Sequence, residues 1–516
     1  MGEQSLAEPQ PAQVLPADDR SAWAISIDGE TISWDVLEHR ARKVARALDS
    51  LRSRVTVAVL AHNCLEWGEI LIGNCRAGGR IVPVNWHLTA AEIVPVLLDS
   101  EADLLIVDAA NARAGAEAAA EAGLEVVLEI GSSYDEWRAD ADDAPLVERT
   151  SGTSMMFTGG TTGRSKGVNR LHDPGLVSGQ AARLERRARQ LRMPLEGPSL
   201  VSTPVYHGMG FGLLELSLWL GKPTLMTSGF DPEHTLALIE HHRIVTTAMV
   251  PTQFVRLLKL DDGVRSRYDL GSLEWVMHTA APCPPWAKRG MIDWFGPVIY
   301  EVYASTEGMG PSVCDSHEWL ARPGTVGRAA PGVEYRTLDE HGAELAPGEV
   351  GTIYCRTAGA PPAYHGDDDK TADMVRSDGW FTVGDIGWLD DDGYLYLADR
   401  RVDLVISRGS NIYPAEVEAV LVEHPEVLDA AVFGIPHPDW GQEVMAVIEP
   451  PPSLDPNQVD LESITTFLDS RLASFKRPTR FDVVSALPRE SHGKLKKRLL
   501  RDPYWASTPP NSGTSL

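Results

Sequence analysis

The chain has 516 residues, enough for about three to four folding units at roughly 150 residues each, and long enough to bury large cores without disulfide or metal staples. Hydrophobic residues make up 43% and charged residues 23%; with 45 glycines and 36 prolines this is a globular composition, not a low-complexity or collagen-like one. The net charge of −26, from 47 basic and 73 acidic residues, speaks against general binding to nucleic acid or anionic membranes and leaves room only for a local basic pocket. The five cysteines, Cys64, Cys75, Cys283, Cys314 and Cys355, are odd in number and widely spaced, so neither a zinc site nor a disulfide framework is expected and a reducing compartment fits better. Residues 1–18 lack the basic and apolar runs of a signal peptide, and the most apolar stretch, 211–220, is interrupted by Glu215 and too short to span a bilayer. A cytoplasmic protein is expected, with disordered ends at 1–18 and 507–516.

In chain order, residues 25–32 read as a hairpin turning at Asp28-Gly29. Val36, Leu37, Val44, Ala45 and Leu48 suit one face of a helix over 34–51. The continuous apolar runs 55–60 and 104–107 have the pattern of buried parallel strands, and the Ala-rich 111–122 that of a helix followed by a strand at 125–128. A helix at 236–241 and a strand at 244–250 repeat the alternation, which predicts layered α/β structure with largely parallel sheets. From 321 to 397 short runs between Gly and Asp turns predict antiparallel β structure. A boundary is expected near 400–403, dividing a large unit, 19–400, from a small α+β unit, 401–506, with a helix from Pro414, strands at 427–433, 444–448 and 481–484 and a helix at 461–472.

The sharpest local signal is Met155-Met156-Phe157 running into Thr158-Gly159-Gly160-Thr161-Thr162-Gly163-Arg164-Ser165-Lys166-Gly167, with three threonines, four glycines, one serine and one lysine. Glycines let backbone N–H groups approach an anion, hydroxyls add donors and lysine adds charge, which suits a polyphosphate. It is not a Walker loop, because Gly163 and Lys166 are not adjacent. The competing reading is a flexible glycine-rich turn between strands; it would lead for a single Gly-x-Gly, but fourteen residues of this chemistry in order, 155–168, weigh against it.

The segment resembles the phosphate loop of the adenylate-forming superfamily, which includes acyl- and aryl-CoA ligases, peptide-synthetase adenylation domains and beetle luciferases. Five further segments resemble that family's motifs in order. They are Pro204-Val205-Tyr206-His207-Gly208, Tyr303-Ala304-Ser305-Thr306-Glu307, Trp380-Phe381-Thr382-Val383-Gly384-Asp385, the junction Asp399-Arg400-Arg401-Val402-Asp403 with Gly409 and Pro414-Ala415-Glu416-Val417-Glu418, and His492-Gly493-Lys494. The likeness spans roughly residues 20–500.

The resemblance implies an AMP-forming acyl-CoA synthetase. It joins a carboxylic acid to ATP as an acyl-adenylate, releases pyrophosphate, and passes the acyl group to coenzyme A. It assigns Thr158, Gly159, Gly160, Thr161, Thr162, Gly163 and Lys166 to the phosphates and Tyr303 and Ser305 to the nucleotide, with Tyr303 stacked on adenine. Asp385 takes the ribose hydroxyls, Arg400 the ribose or phosphate, Thr306 the α-phosphate and Glu307 a Mg²⁺ ion. Lys494 is the catalytic lysine that bridges substrate carboxylate and α-phosphate, so the small unit must close to deliver it and then rotate. His207, Thr279, Ala280 and Ala281 border the acid pocket, whose small side chains leave room for a bulky, apolar or cyclic acid. Arg408 and Gly409 lie on the thiol tunnel.

Three positions depart from the family pattern. Ala304 stands at a usual glycine, Val402 at a hinge that is most often Asp or Lys, and Arg408 where many relatives have Gly. An apolar hinge cannot exchange hydrogen bonds between two orientations, which bears on the thiol step alone. The competing functions are a stand-alone adenylating enzyme serving a carrier protein, an oxidative luciferase-like enzyme, and a non-catalytic binder. The presence of Lys166, Glu307, Asp385, Arg400 and Lys494 together argues against the last.

Overall fold

The computed structural model describes residues 22–158, 166–169, 175–305, 308–357, 361, 363–364, 371–372, 374–400, 403–407, 410–437, 439–489 and 495–506; at 158, 166, 169, 363, 364, 399, 400 and 506 only the backbone is described. The chain enters through antiparallel strands Trp23–Ile27 and Glu30–Ser33. They turn at Asp28 and Gly29, with φ of 49° and 87°, the left-handed pair that matches strand twist. Ser33 caps the helix Trp34–Leu51 by accepting from the Val36 N–H at 3.3 Å. Leu37, Ala41, Val44, Ala45 and Leu48 are buried, but Val36, expected on the same face, is 39% exposed. One helical residue is a rotation of roughly 100°, which carries Val36 past the edge of the stripe centred near Leu37 and Val44.

The apolar runs form a five-stranded parallel sheet in the order Val127–Glu129, Leu104–Val107, Thr56–Leu60, Arg80–Pro83, Thr153–Ser154. A second sheet has 13 strands. Its parallel part contains Thr224–Met226, Ser199–Val201, Thr246–Met249, Trp275–His278 and Ile299–Tyr303. The antiparallel stretch, including Thr325–Ala329, Tyr394–Arg400 and Asp385–Leu389, is hydrogen-bonded onto that part through Ser312–Cys314 and extends one surface. Residues that lie a hundred apart in sequence are thereby held in one register.

After Arg400, the strands Val405–Ser407, Ser410–Ile412, Asp429–His437, Gly441–Glu449 and Arg480–Val483 belong to a separate five-stranded sheet. With the helices Pro414–Leu421 and Leu461–Asp469 it has its own core, including Val405, Val417, Val432 and Ile464. Trp286 of the large unit packs on that core, and Lys259 Nζ donates to the Val427 carbonyl at 2.6 Å. All five cysteines are free. Burial pushes the Cys75 thiol up to about 12 and that of Cys355 to about 11, so neither is a reactive thiolate. Among the described residues no helix is long and apolar enough to cross a membrane.

Candidate active site

A cleft of about 2260 Å³ opens where the parallel strands of the large sheet end, and residues of the small unit line its other side. Ligands bind in crevices outside the carboxyl ends of parallel strands because the loops there converge and backbone polarity is unspent. The segments Tyr206-His207, Thr279-Ala280-Ala281 and Tyr303-Ala304-Ser305 all line it.

The strand Trp275–His278 delivers the small-residue shelf. Thr279 Oγ1 donates to the Val302 carbonyl of the neighbouring strand at 2.6 Å, so the shelf is pinned at its start. Ala280 follows with φ of 76°, a left-handed conformation unusual for a residue with a Cβ, which turns the chain sharply across the cleft. Behind the shelf, Lys288 Nζ meets Glu301 Oε2 at 2.6 Å, and burial keeps His278 uncharged by lowering its pKa well below the usual imidazole value.

Tyr303 ends the strand Ile299–Tyr303. Its hydroxyl donates to Asp385 Oδ2 at 2.6 Å. Asp385, only 8% exposed, begins the strand Asp385–Leu389 and lies opposite Arg400 in the antiparallel register. The close register has a local cause: a Cβ at Gly387 would fall 2.1 Å from the Tyr396 carbonyl oxygen, so only glycine lets the strands approach. Two residues assigned to the nucleotide from separate motifs, Tyr303 and Asp385, thus meet on one wall of the cleft, with the backbone of Arg400 paired to that of Asp385. Ser305 shapes the turn that follows: its Oγ accepts from Met309 N at 3.2 Å and its carbonyl from Gly308 N at 3.2 Å. Thr306 and Glu307 lie outside the described residues.

His207 immediately precedes the helix Gly208–Trp219, and its ring lies 4.0 Å from that of Tyr206. The loop before it is held by Asn63, whose Oδ1 accepts from Val205 N at 2.8 Å and whose Nδ2 donates to the Thr203 and Thr227 carbonyls. Nothing local in the sequence points to Asn63, because its partners lie about 140 residues or more away in the chain. Also unanticipated is one face of the helix Gln180–Gln190, where Arg183, Arg186, Arg187 and Gln190 line the cleft. Their spacing of three, four and seven residues is legible as a face, but not the direction in which that face points.

The phosphate segment is a hairpin stem: Met156–Thr158 pairs with Lys166–Asn169, and Thr158 stands opposite Lys166. Gly159, Gly160, Thr161, Thr162 and Gly163 between them lie outside the described residues, as do Val402, Arg408, Gly409 and Lys494. Leu495 and Lys496, directly after Lys494, line the cleft. The Glu92 carboxyl across from them is held below the usual range by hydrogen bonds from Thr89, assisted by the Lys496 ammonium. Among the described residues no group of three or more His, Cys, Asp or Glu side chains could hold a metal ion.

Comparison with known proteins agrees with this geometry. A sequence model described as AMP-binding enzyme matches residues 13–365, and one for the AMP-binding enzyme C-terminal domain matches 416–494. The chain is 31% identical to a fatty acid–[acyl-carrier-protein] ligase, ScoC, of Streptomyces coeruleorubidus, over 94% of both chains. It is also 31% identical to a feruloyl-CoA synthase of an Amycolatopsis species, over 93% of this chain and 95% of that one. The crystal structure of ATP-bound MatB from Rhodopseudomonas palustris superposes with a TM-score of 0.80 at 29% identity, over 95% of this chain and 97% of that one; the apo form of the same protein gives 0.71. With both family matches falling on a chain whose cleft joins the two units they cover, the protein is a member of the AMP-binding enzyme family and an AMP-forming acid–thiol ligase.

Proposed function

We propose that the protein activates a bulky, apolar or cyclic carboxylic acid as its acyl-adenylate and passes the acyl group to coenzyme A. The observation that carries this reading is the cleft wall itself. The Tyr303 hydroxyl sits on the buried Asp385 carboxylate at 2.6 Å, the Arg400 backbone pairs in register with that of Asp385, and the 279–281 shelf lines the same cleft. A flat apolar ring and a carboxylate acceptor suit a base and its ribose hydroxyls. Met209 and Leu213, which line the cleft beyond His207, suit an apolar acid.

In the first half-reaction the acid's carboxylate oxygen attacks the α-phosphorus of ATP, the bond to pyrophosphate breaks, and acyl-AMP forms. Two anions converge, so charge neutralisation and alignment must supply the catalysis. The groups proposed to supply it are residues 158–163 and Lys166 on the outer phosphates, Thr306 on the α-phosphate and Lys494 between carboxylate and phosphate. Glu307 is the proposed ligand of Mg²⁺, an ion that takes few protein ligands beside phosphate and so needs no larger cluster. The better match to the ATP-bound form than to the apo form of MatB, 0.80 against 0.71, supports an adenylating orientation of the small unit. In the second half-reaction the thiol sulfur attacks the acyl carbonyl and AMP leaves, with Arg408 and Gly409 at the thiol entrance. Residues 19–400 and 401–506 are the two units that move, about Val402, and the setting is the cytoplasm.

A pyrophosphate-release screen over aryl, fatty, terpenoid and steroid acids tests the reading. AMP release that depends on coenzyme A is the expected result. Release only with a phosphopantetheinyl carrier protein would favour the second reading, to which the similarity to ScoC lends weight. No pyrophosphate from any acid would refute both.

A further inference from the structure

We propose that the acid carries a second carboxylate at the end remote from the reacting one, received by Arg186 and Arg187. This rests on the acyl-adenylate reading above and names the substrate class of the same cleft.

The far end of the cleft has a defined position. Trp275 lines it and precedes Thr279 by four residues, about 13 Å along an extended strand at roughly 3.3 Å per residue. Trp275 Nε1 donates to the Leu191 carbonyl at 3.1 Å, which ties that far end to the close of the helix Gln180–Gln190. Leu213 and Leu216 of the helix Gly208–Trp219 add apolar lining to the cleft, and that helix leaves room: a Cβ added at Gly208 or Gly212 would meet nothing within 4 Å.

The charge at that far end differs from that of the rest of the molecule. The chain carries −26 overall, and other arginines of the helix Gln180–Gln190 are engaged. Arg189, on the same helix, binds Glu185 at 2.7 Å, and Arg183 is engaged by Ser151 at 2.9 Å and Gln180 at 2.6 Å. Arg186 and Arg187 line the cleft and make no side-chain hydrogen bond or ion pair among the described residues. Cations in the last turns of a helix favour its dipole, which accounts for basic residues there but not for their lining the cleft. A guanidinium matches a carboxylate by two parallel N–H···O bonds, so adjacent unpaired arginines at the end of an apolar channel select a terminal carboxylate over a methyl group or a neutral ester. The ligand is an acid with an apolar body spanning the channel and a carboxylate at each end.

The test is ATP–pyrophosphate exchange with α,ω-dicarboxylic acids of increasing length, from adipic to dodecanedioic, each against its monomethyl ester. At the best length the diacid is expected to exceed the monoester at least tenfold in kcat/KM. In the R186Q/R187Q variant that ratio should collapse by about the same factor, and added salt should narrow it. R189Q, on the paired side of the helix, should keep the wild-type ratio. Monoesters as good as diacids at every length, or a ratio unchanged in R186Q/R187Q, would overturn the proposal while leaving the ligase reading intact. No exchange with any acid, including the screen above, would overturn the ligase reading and this proposal with it.

Discussion

The two sides of the cleft are held by different means. On the large-unit side, Thr279, Tyr303 and Asp385 stand at strand ends of one 13-stranded sheet and are tied by hydrogen bonds of 2.6 Å. On the small-unit side, Leu495 and Lys496 reach the cleft from the segment that leads into the helix Lys497–Ala506, outside the large sheet. That unit is anchored to the large one by contacts such as Lys259 on the Val427 carbonyl and Trp286 on the small core. Groups that grip a ligand throughout a reaction belong on rigid elements; groups that act in one step can be brought by a unit with a lighter anchor. Substitutions on the first side should therefore change nucleotide affinity, and those on the second should separate the half-reactions.

The largest effect is expected at Lys494. Removing one preorganised donor typically costs on the order of 10²–10³ in rate. Lys494→Ala should slow acyl-adenylate formation by that factor and do far less to thiol transfer from pre-made acyl-adenylate. Lys496→Ala and Lys497→Ala should have small, salt-sensitive effects in both assays. Adenylation near the wild-type rate in Lys494→Ala would remove the catalytic assignment.

Asp385→Ala comes next. Losing hydrogen bonds to a buried ligand costs about 1–3 kcal/mol, so the KM for ATP should rise roughly fivefold to a hundredfold while acid binding changes little. Tyr303→Phe should move it the same way by less. An unchanged ATP KM in Asp385→Ala would mean that this wall does not hold the nucleotide.

The fixed side also contains Lys222, 1% exposed, which donates to the Pro194 carbonyl and to Thr246 Oγ1. Burial lowers its pKa to about 7 in the folded protein, against about 10.4 in an unfolded chain. Between those values the unfolded state binds the extra proton. The Lys222 contribution to large-unit stability should therefore rise with pH from 7 towards 10, by up to about 1.4 kcal/mol per unit, and be lost as pH falls to 7. Urea unfolding of wild type and Lys222→Met across that range would show it as a difference in slope.

Smaller still, Ala280→Gly should stabilise the protein by about 0.5–1 kcal/mol, since relief of the left-handed strain exceeds the entropy glycine adds to the unfolded chain. Lys259→Met should slow adenylation a few-fold and spare thiol transfer, and Lys259→Arg should restore it. Equal loss in both halves would show that the anchor is merely structural.

Local order was legible because neighbours in the chain decide it. The Asp28-Gly29 turn, the helix Trp34–Leu51 and the strand Leu104–Val107 follow from turn chemistry and apolar periodicity within a few residues. The motif residues Tyr303 and Asp385 were also legible, each from its own segment. That the Tyr303 hydroxyl meets Asp385 was not, because 82 residues separate them and only the sheet register brings them together. The exposure of Val36, the pinning of the His207 loop by Asn63, the direction of the Arg186 and Arg187 face and the docking of Lys259 on Val427 likewise depend on what packs opposite. Sequence by itself determined which elements form and which chemistry they carry, since propensity and periodicity act over single turns and strands. Only the tertiary structure decided which of those groups share the cleft, since register and packing are set by contacts between segments distant in the chain.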